Sequence, residues 1–471
     1  MDGMNATRPA VLMVGLPESG LINPMLVLAG ELSRRDVADL WFATDDHRRD
    51  DVEAAGADGG APVRFCGLGE VVGELSSVTW DDRTYRRVTG RSRFRARAAV
   101  IRKTYVPGAQ AEKYRRLLAV VDRVRPSLMV VESMCQYGVQ VAITRGIPFV
   151  LSNPFVPSNL LTSLVPFGPS YTPKDFPVPH SGRSAHAGPL GRLANRWFRW
   201  RMLGLFLSPA MRRRNAEDAR IAAELGVDPA SAGQFTRTES AAMVLNYSIP
   251  ELDYPFELPA VFRTVGAMIP PLPQEPPGEL TDWLDAQTSV LYAGFGTITR
   301  LTRPEVATMV ELARRLEGRH QVLWKLPAEQ QHLLPDTLPD SLRVVSWVPS
   351  QLDVLAHPSV RAFLSHGGGN AYHESLWFGK PMVVRPLWVD CHDQAVRAED
   401  LGVGLSLRRP RRFRIDDLQN AVTRVLEEPA FAENARRFAA LQRAAGGRER
   451  AADLVTGLLG AGRAAPSVPQ P

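Results

Sequence analysis

The amino-acid sequence predicts an α/β protein of two doubly wound domains facing a central cleft, and three observations predict it. Short continuous apolar runs alternate with segments of helical periodicity in both halves of the chain, the pattern of parallel strands joined by crossover helices. A stretch of repeated Pro, AMIPPLPQEPPGEL, lies between the halves, and such a stretch sustains neither a helix nor a central strand. At 471 residues the chain also exceeds what one hydrophobic core usually serves, so two or three domains are expected. The boundaries that follow are an N-terminal Rossmann-like domain over 1–250, a Pro-rich linker over 251–279, a C-terminal Rossmann-like domain over 280–445, and a C-terminal helix with a frayed tail over 446–471.

Taken in order, AVLMVGL reads as a buried strand, PESGLINP as loop chemistry and MLVLAGELSRR as a helix. The opening apolar run has no basic flank before it and meets Pro17 too soon for a signal peptide or a membrane span. A second unit follows, with PSLMVVES a strand, CQYGVQVAITRG a helix ending at Gly146, and IPFVLSNP another strand. Residues 153–190 are rich in Pro, Ser and Gly, which favours long surface loops, and acceptor contacts are expected there. In RWFRWRMLGLFLSPAMRRR, apolar residues from Trp197 to Leu207 mix with Arg. That mixture suits an interfacial membrane helix, but a helix packing an apolar stripe on its own domain is the favoured reading. Beyond the linker, SVLYAGFGT, PEVATMVELARRLEG, HQVLWKL, LRVVSWV, RAFLSH, NAYHESLWFG and PMVVRPL alternate strand and helix patterns up to about Val425.

The formal charge of +6 comes from 56 basic and 50 acidic residues. Nearly all the basic ones are Arg, scattered rather than striped among aromatics, so a solvated surface is favoured and nucleic-acid binding is not. Cys66, Cys135 and Cys391 are far apart and show no metal-ligand spacing, which argues against a disulfide framework or a zinc site and for a cytoplasmic setting.

Chemistry is expected beyond the carboxyl ends of the strands, where open α/β sheets bind ligands. Trp347 ends one apolar run, His366, Gly367 and Gly368 follow another, and Asp390 follows a third. The amides of a Gly-rich turn opening a helix donate to anions, aided by the helix dipole. Glu374, about two turns into that helix, can accept both hydroxyls of a ribose. Trp347 offers a flat face to a base. Singly these signals are weak: a GGG turn is more often mere backbone geometry, a lone Trp core, and a His a satisfied structural residue.

In combination, WVPSQLDVLAHPSVRAFLSHGGGNAYHESLWFGKPMVVRPLWVDCHDQAVRAEDLGVG, from Trp347 to Gly404, closely resembles the signature region of the family 1, nucleotide-sugar-dependent glycosyltransferases. These enzymes have the two-domain GT-B fold and invert the anomeric centre. The resemblance implies that Trp347 stacks on the nucleobase, with Gln351 reaching it. It further implies that His366 and the amides near Gly368 bind the diphosphate with Asn370, that Glu374 holds the ribose, and that Asp390 holds sugar hydroxyls. In VLYAGFGT, Gly296 and Thr297 would approach the phosphates. GLINPMLVLAGEL and SLMVVES…AITRGIPFVLSNP also look like the family, whose first half binds the acceptor.

Three departures bear on the chemistry. The family pattern near the first strand is GH followed by a short stretch ending in NP, with that His removing the acceptor proton, whereas this sequence reads GLINP, so Leu21 occupies the position of the base. Its orienting Asp is replaced by Glu132. Glu132 and Glu18 are the nearest candidate bases, since a carboxylate in a dry cleft can have its pKa raised. Equally, Glu18 can be a solvated loop residue and Glu132 a hydrogen-bonded strand end. The family's Asp-Gln pair reads Asp390-Cys391, with Asp393 or Gln394 able to take over a sugar contact, and an extra Ser350 precedes Gln351.

The function expected is inverting transfer of a hexose from a UDP-sugar, UDP-glucose or UDP-N-acetylglucosamine, to a small natural-product or nucleoside-like acceptor, with no permanently bound cofactor. No metal is required by this reading, since helix dipole and His366 can stabilise the leaving diphosphate. The alternatives are a catalytically silent binding or auxiliary protein and a nucleotide-sugar epimerase or hydrolase.

Overall fold

The computed structural model of the chain describes residues 8–56, 59–233, 235–407 and 410–464, with side chains through residue 460. The first sheet contains β1 (Ala10–Val14), β2 (Asp39–Thr44), β3 (Val63–Gly67), β4 (Leu128–Glu132), β5 (Phe149–Asn153), β6 (Met243–Asn246) and β7 (Phe262–Thr264), in the order β3-β2-β1-β4-β5-β6-β7. The second contains β8 (Val290–Gly294), β9 (Gln321–Lys325), β10 (Leu342–Val345), β11 (Val360–Ser365), β12 (Met382–Val384) and β13 (Gly404–Ser406), in the order β10-β9-β8-β11-β12-β13. Every pairing is parallel. The central strands β1, β4, β8 and β11 are covered on both faces, which is why their sequences read as unbroken apolar runs rather than alternating ones.

Two expectations about the elements are corrected. The helix after β1 runs over Ser19–Arg35 and so begins inside the stretch read as a loop, with Pro24 in its second turn. Ile22, Met25, Leu28 and Leu32 form a buried stripe at helical spacing, and that burial outweighs the single backbone bond Pro24 cannot donate. β7 lies within the predicted linker, because Phe262 packs into the first core. The expected C-terminal helix runs over Gly447–Ala464 and packs Ala451, Ala452 and Val455 beside Met25 and Leu28 of the first half. Arg35 fixes it there through Asp453 at 2.6 Å. Residues 465–471 of the predicted tail lie outside the described residues.

The chain therefore crosses between the halves twice, and the crossings touch: Gly447 N–H donates to Val265 C=O at 2.7 Å. The helix Pro189–Phe206 buries Phe198, Met202 and Leu205 against Ala98 and Met211, the packing favoured for that segment. Among the described residues no helix is long and apolar enough to cross a membrane.

Candidate active site in the cleft

In each sheet the strand order reverses direction between its two central strands, and the crevice at such a point is where open α/β sheets take ligands. In the second sheet this point lies between β8 and β11, and Gly296 and His366 are the residues that emerge there. They are built against each other. Gly296 has φ +70, and a β-carbon on it would stand 2.7 Å from His366 Cε1, while one on Gly368 would stand 2.5 Å from His366 Nε2. Only bare backbone on both sides admits the ring. Gly367 also has positive φ, +81, and backs onto Val384. His366 is held neutral, its pKa pushed down to about 4 by burial first and by Lys325 second. Its Nδ1 has no partner among the described residues.

Gly368 is the N-cap of the helix Gly369–Trp377, with Asn370 at its second position and Glu374 one turn further on. Gln351 Nε2 donates to Glu374 Oε2 at 2.8 Å, and Tyr292 Oη donates to Gln351 Oε1 at 3.3 Å. Burial raises the Glu374 pKa, against the hydrogen bond from Gln351 and the charge of Lys325, which lower it. The Ser350 that interrupts the family pattern caps the helix Gln351–Ala356 by accepting from Asp353 N–H at 3.0 Å. That cap aims Gln351 at Glu374. Trp347 leaves 64 % of its surface exposed, and Lys325 Nζ sits 4.4 Å from its ring centre. Lys325 was missed in the sequence, although it is the last residue of β9 and so falls at the strand end where ligands are expected. Thr297 is exposed in the turn after β8.

Asp390 closes this group. It precedes the helix Cys391–Asp400 and its carboxyl faces the Gly369 amide, while burial, then Asp393, push its pKa up to about 6. Gln394 is wholly buried with neither side-chain atom partnered among the described residues. A buried amide left that way costs stability unless something pairs with it. Asp393 is not brought to this set. Its two oxygens accept the backbone N–H groups of His180 and Gly182, so it ties the loop of the first half to the second. Cys391 is buried, and burial pushes its thiol well above the ordinary range.

The first half supplies residues the sequence did not single out. Arg93 Nη1 lies 2.8 Å from His392 Nε2. Arg97 is half-buried facing Asp393 and Asp390, which oppose the lowering of its pKa by desolvation to about 10. Tyr85 Oη accepts Arg300 N–H at 3.1 Å, and Trp80 meets Trp388 edge-on at 6.0 Å. Isolated Arg residues in a sequence with many of them carry no signal of such a role.

In the first sheet the reversal lies between β1 and β4, where Glu18 and Glu132 emerge side by side. Glu132 is fully buried; its Oε1 accepts Ser133 Oγ at 3.0 Å and Met134 N–H at 2.9 Å, and its Oε2 has no partner among the described residues. Burial above all, with Glu18 adding, raises its pKa to about 7. Glu18 is half-buried rather than solvated, with Oε2 unpartnered and its pKa raised by burial and by Asp45. Leu21, the third residue of the helix Ser19–Arg35, is half-buried.

The family model described as "UDP-glucoronosyl and UDP-glucosyl transferase" matches residues 94–445. UDP-glucuronosyltransferase 2A1 of Mus musculus is 25% identical over 333 residues, 69% of this chain and 59% of that protein. UDP-glycosyltransferase 1 of Phaeomoniella chlamydospora is 26% identical over 364 residues, 73% of this chain and 70% of that one. The chain thus spans less than two thirds of the length of the mouse relative. Among solved structures, the glycotransferase of kitacinnamycin aligns with a TM-score of 0.68 at 20% identity, over 95% of this chain and 98% of that one. The calicheamicin glycosyltransferase CalG4 aligns with a TM-score of 0.65 at 21% identity, over 98% and 100%. These structures share the fold, two parallel-sheet α/β domains in the GT-B arrangement. With its family model matched over 94–445, the chain belongs to the UDP-glucoronosyl and UDP-glucosyl transferase family.

Proposed function

We propose that this protein transfers a hexose from a UDP-sugar to a small-molecule acceptor of natural-product or nucleoside-like character, with inversion. The observation that carries the reading is the set His366, Gly368, Glu374, Asp390 and Gln394 around one crevice, two of them with buried polar atoms awaiting a partner. Trp347 stacks on uracil, and the Glu374–Gln351 pair meets the ribose hydroxyls. The amides that open the helix Gly369–Trp377 receive the diphosphate, with Asn370 and with Thr297 in the opposing turn. His366, neutral because of its burial, adds an N–H rather than a positive charge. Preorganised donors of this kind act most strongly on the charge that grows on the leaving diphosphate. Asp390 and Gln394 hold the sugar hydroxyls, while Asp393 holds the enclosing loop.

An attacking hydroxyl must lose a proton, and Leu21 cannot take it. The carboxylates of Glu18 and Glu132 at the first switch point supply the alternative. Glu18 is the one that an acceptor reaches, since Glu132 is fully enclosed; burial and Asp45 raise the Glu18 pKa, and burial, with Glu18 adding, raises that of Glu132. A second reading, a silent nucleotide-binding protein, is favoured by Leu21 and by the complete enclosure of Glu132. Calorimetric titration of UDP and UDP-glucose into the wild type and Glu374→Ala tests the donor site: weaker binding in the variant supports it, and no binding to the wild type overturns it. Turnover of a panel of small phenolic and nucleoside acceptors, lost in Glu18→Gln, then separates enzyme from binder.

A further inference from the structure

The helix Pro189–Phe206 carries two apolar stripes, of which only one is used by the fold. Phe198, Met202 and Leu205 face inward. Leu190, Leu193, Trp197 and Trp200 face outward with exposures of 83, 64, 64 and 48 %, and Leu207 continues the line at 50 %. Their spacings of three and four residues put them on one face. Phe167, 60 % exposed, widens the patch by meeting Trp200 edge-on at 5.1 Å. Contiguous apolar surface of this kind marks an interaction site, unlike scattered single residues.

Charge decides what it meets. From residue 176 to residue 216 the chain holds no Asp or Glu and many Arg. Arg192, Arg212 and Arg213 are exposed and have no carboxylate partner among the described residues. Arg192 belongs to this helix and Arg212 and Arg213 to the one that follows, Pro209–Glu224, while Arg196 of this helix pairs with Asp175 at 3.0 Å. A second copy of the chain would bring like charges together. An anionic lipid surface would instead receive them, while Trp197 and Trp200 place amphipathic rings at headgroup depth.

We propose that the outward face of the helix Pro189–Phe206 docks this protein on anionic membranes, seating the N-terminal half on the lipid surface without spanning it. Because the substituted side chains are exposed and lie outside the cleft, the proposal stands or falls independently of the donor reading. The test is sedimentation of the full chain with vesicles of phosphatidylcholine, with and without about 30 mol% phosphatidylglycerol. The wild type is expected to bind the anionic vesicles at least roughly tenfold better than the neutral ones, and to be released by about 0.5 M salt. Leu193→Ser/Trp197→Ser/Trp200→Ser is expected to lose binding about tenfold or more with unchanged thermal unfolding, and Arg192→Gln/Arg212→Gln/Arg213→Gln to lose the preference for anionic lipid. Absence of wild-type binding overturns the proposal. So does a wild type that self-associates in sedimentation analysis, ignores vesicles and becomes monomeric in the triple Ser variant, since the face then joins two copies.

Discussion

His366 and Gly368 are fitted to each other: a β-carbon on Gly368 would lie 2.5 Å from His366 Nε2, closer than real side chains approach. The ring must therefore move if Gly368 gains a methyl group, and it has Gly296 behind it. Gly368→Ala is predicted to raise the Kd for UDP at least roughly tenfold and to lower stability by about 1–3 kcal/mol. Titration calorimetry and denaturant unfolding check the two effects. Unchanged UDP affinity would mean that the imbedded ring is packing alone.

Glu374 receives its hydrogen bond from Gln351 at 2.8 Å. Glu374→Gln keeps the volume and removes the charge, and UDP binding is predicted to weaken by about 1–3 kcal/mol, the range for losing a charged hydrogen-bond acceptor. If the carboxylate holds the ribose, the wild type discriminates against 2′-deoxy-UDP and the variant does so far less. Equal discrimination in both would remove the ribose role.

The pKa of Glu132 is pushed up to about 7 from an ordinary 4.5. Between those values the folded state keeps a proton that the unfolded state has released, so stability falls as pH rises from about 4.5 to 7 and levels off above. Glu132→Gln removes that loss, and the variant is predicted to exceed the wild type at pH 8 by up to about 3 kcal/mol. Activity moves the other way. A base must be deprotonated, so kcat/KM of the wild type is predicted to rise with pH and that of Glu18→Gln, which removes the carboxylate an acceptor reaches, to lose this limb. Thermal unfolding and pH–rate profiles measure both.

Gln394 buries an amide with neither end paired among the described residues. Replacing it by Leu removes that deficit, so Gln394→Leu is predicted to leave stability unchanged or raise it by about 1 kcal/mol while increasing KM for the sugar donor about tenfold. UDP itself, lacking the sugar, is expected to bind the variant as it binds the wild type. Loss of UDP affinity would place Gln394 against the nucleotide instead.

The unbroken apolar runs made the central strands legible, the strand-end rule found Trp347, His366 and Asp390, and the family resemblance supplied Gly296. Glu374 and Gln394 came from motif spacing, because both lie inside helices. What remained illegible depended on packing across long separations. Asp393 looked like one more sugar acceptor beside Asp390, and only the folded loop reveals that the amides of His180 and Gly182 claim it. Arg93 and Arg97 become part of the cleft through approach of the two halves, which no local pattern encodes. Pro24 likewise misdirected the helix start, since local chemistry is overridden by the buried stripe from Ile22 to Leu32.

The bond from Gly447 to Val265 ties the outgoing and returning crossings of the chain at one spot. Two crossings far apart would stake the halves rigidly, and a single one would let them twist freely. Joined at one place, they make a compact junction, and any opening of the crevice about it would have to break the bonds of Asp393 to His180 and Gly182. Proteolytic nicking of the Pro-rich segment would leave the halves attached through the second crossing, since the helix Gly447–Ala464 packs into the first core.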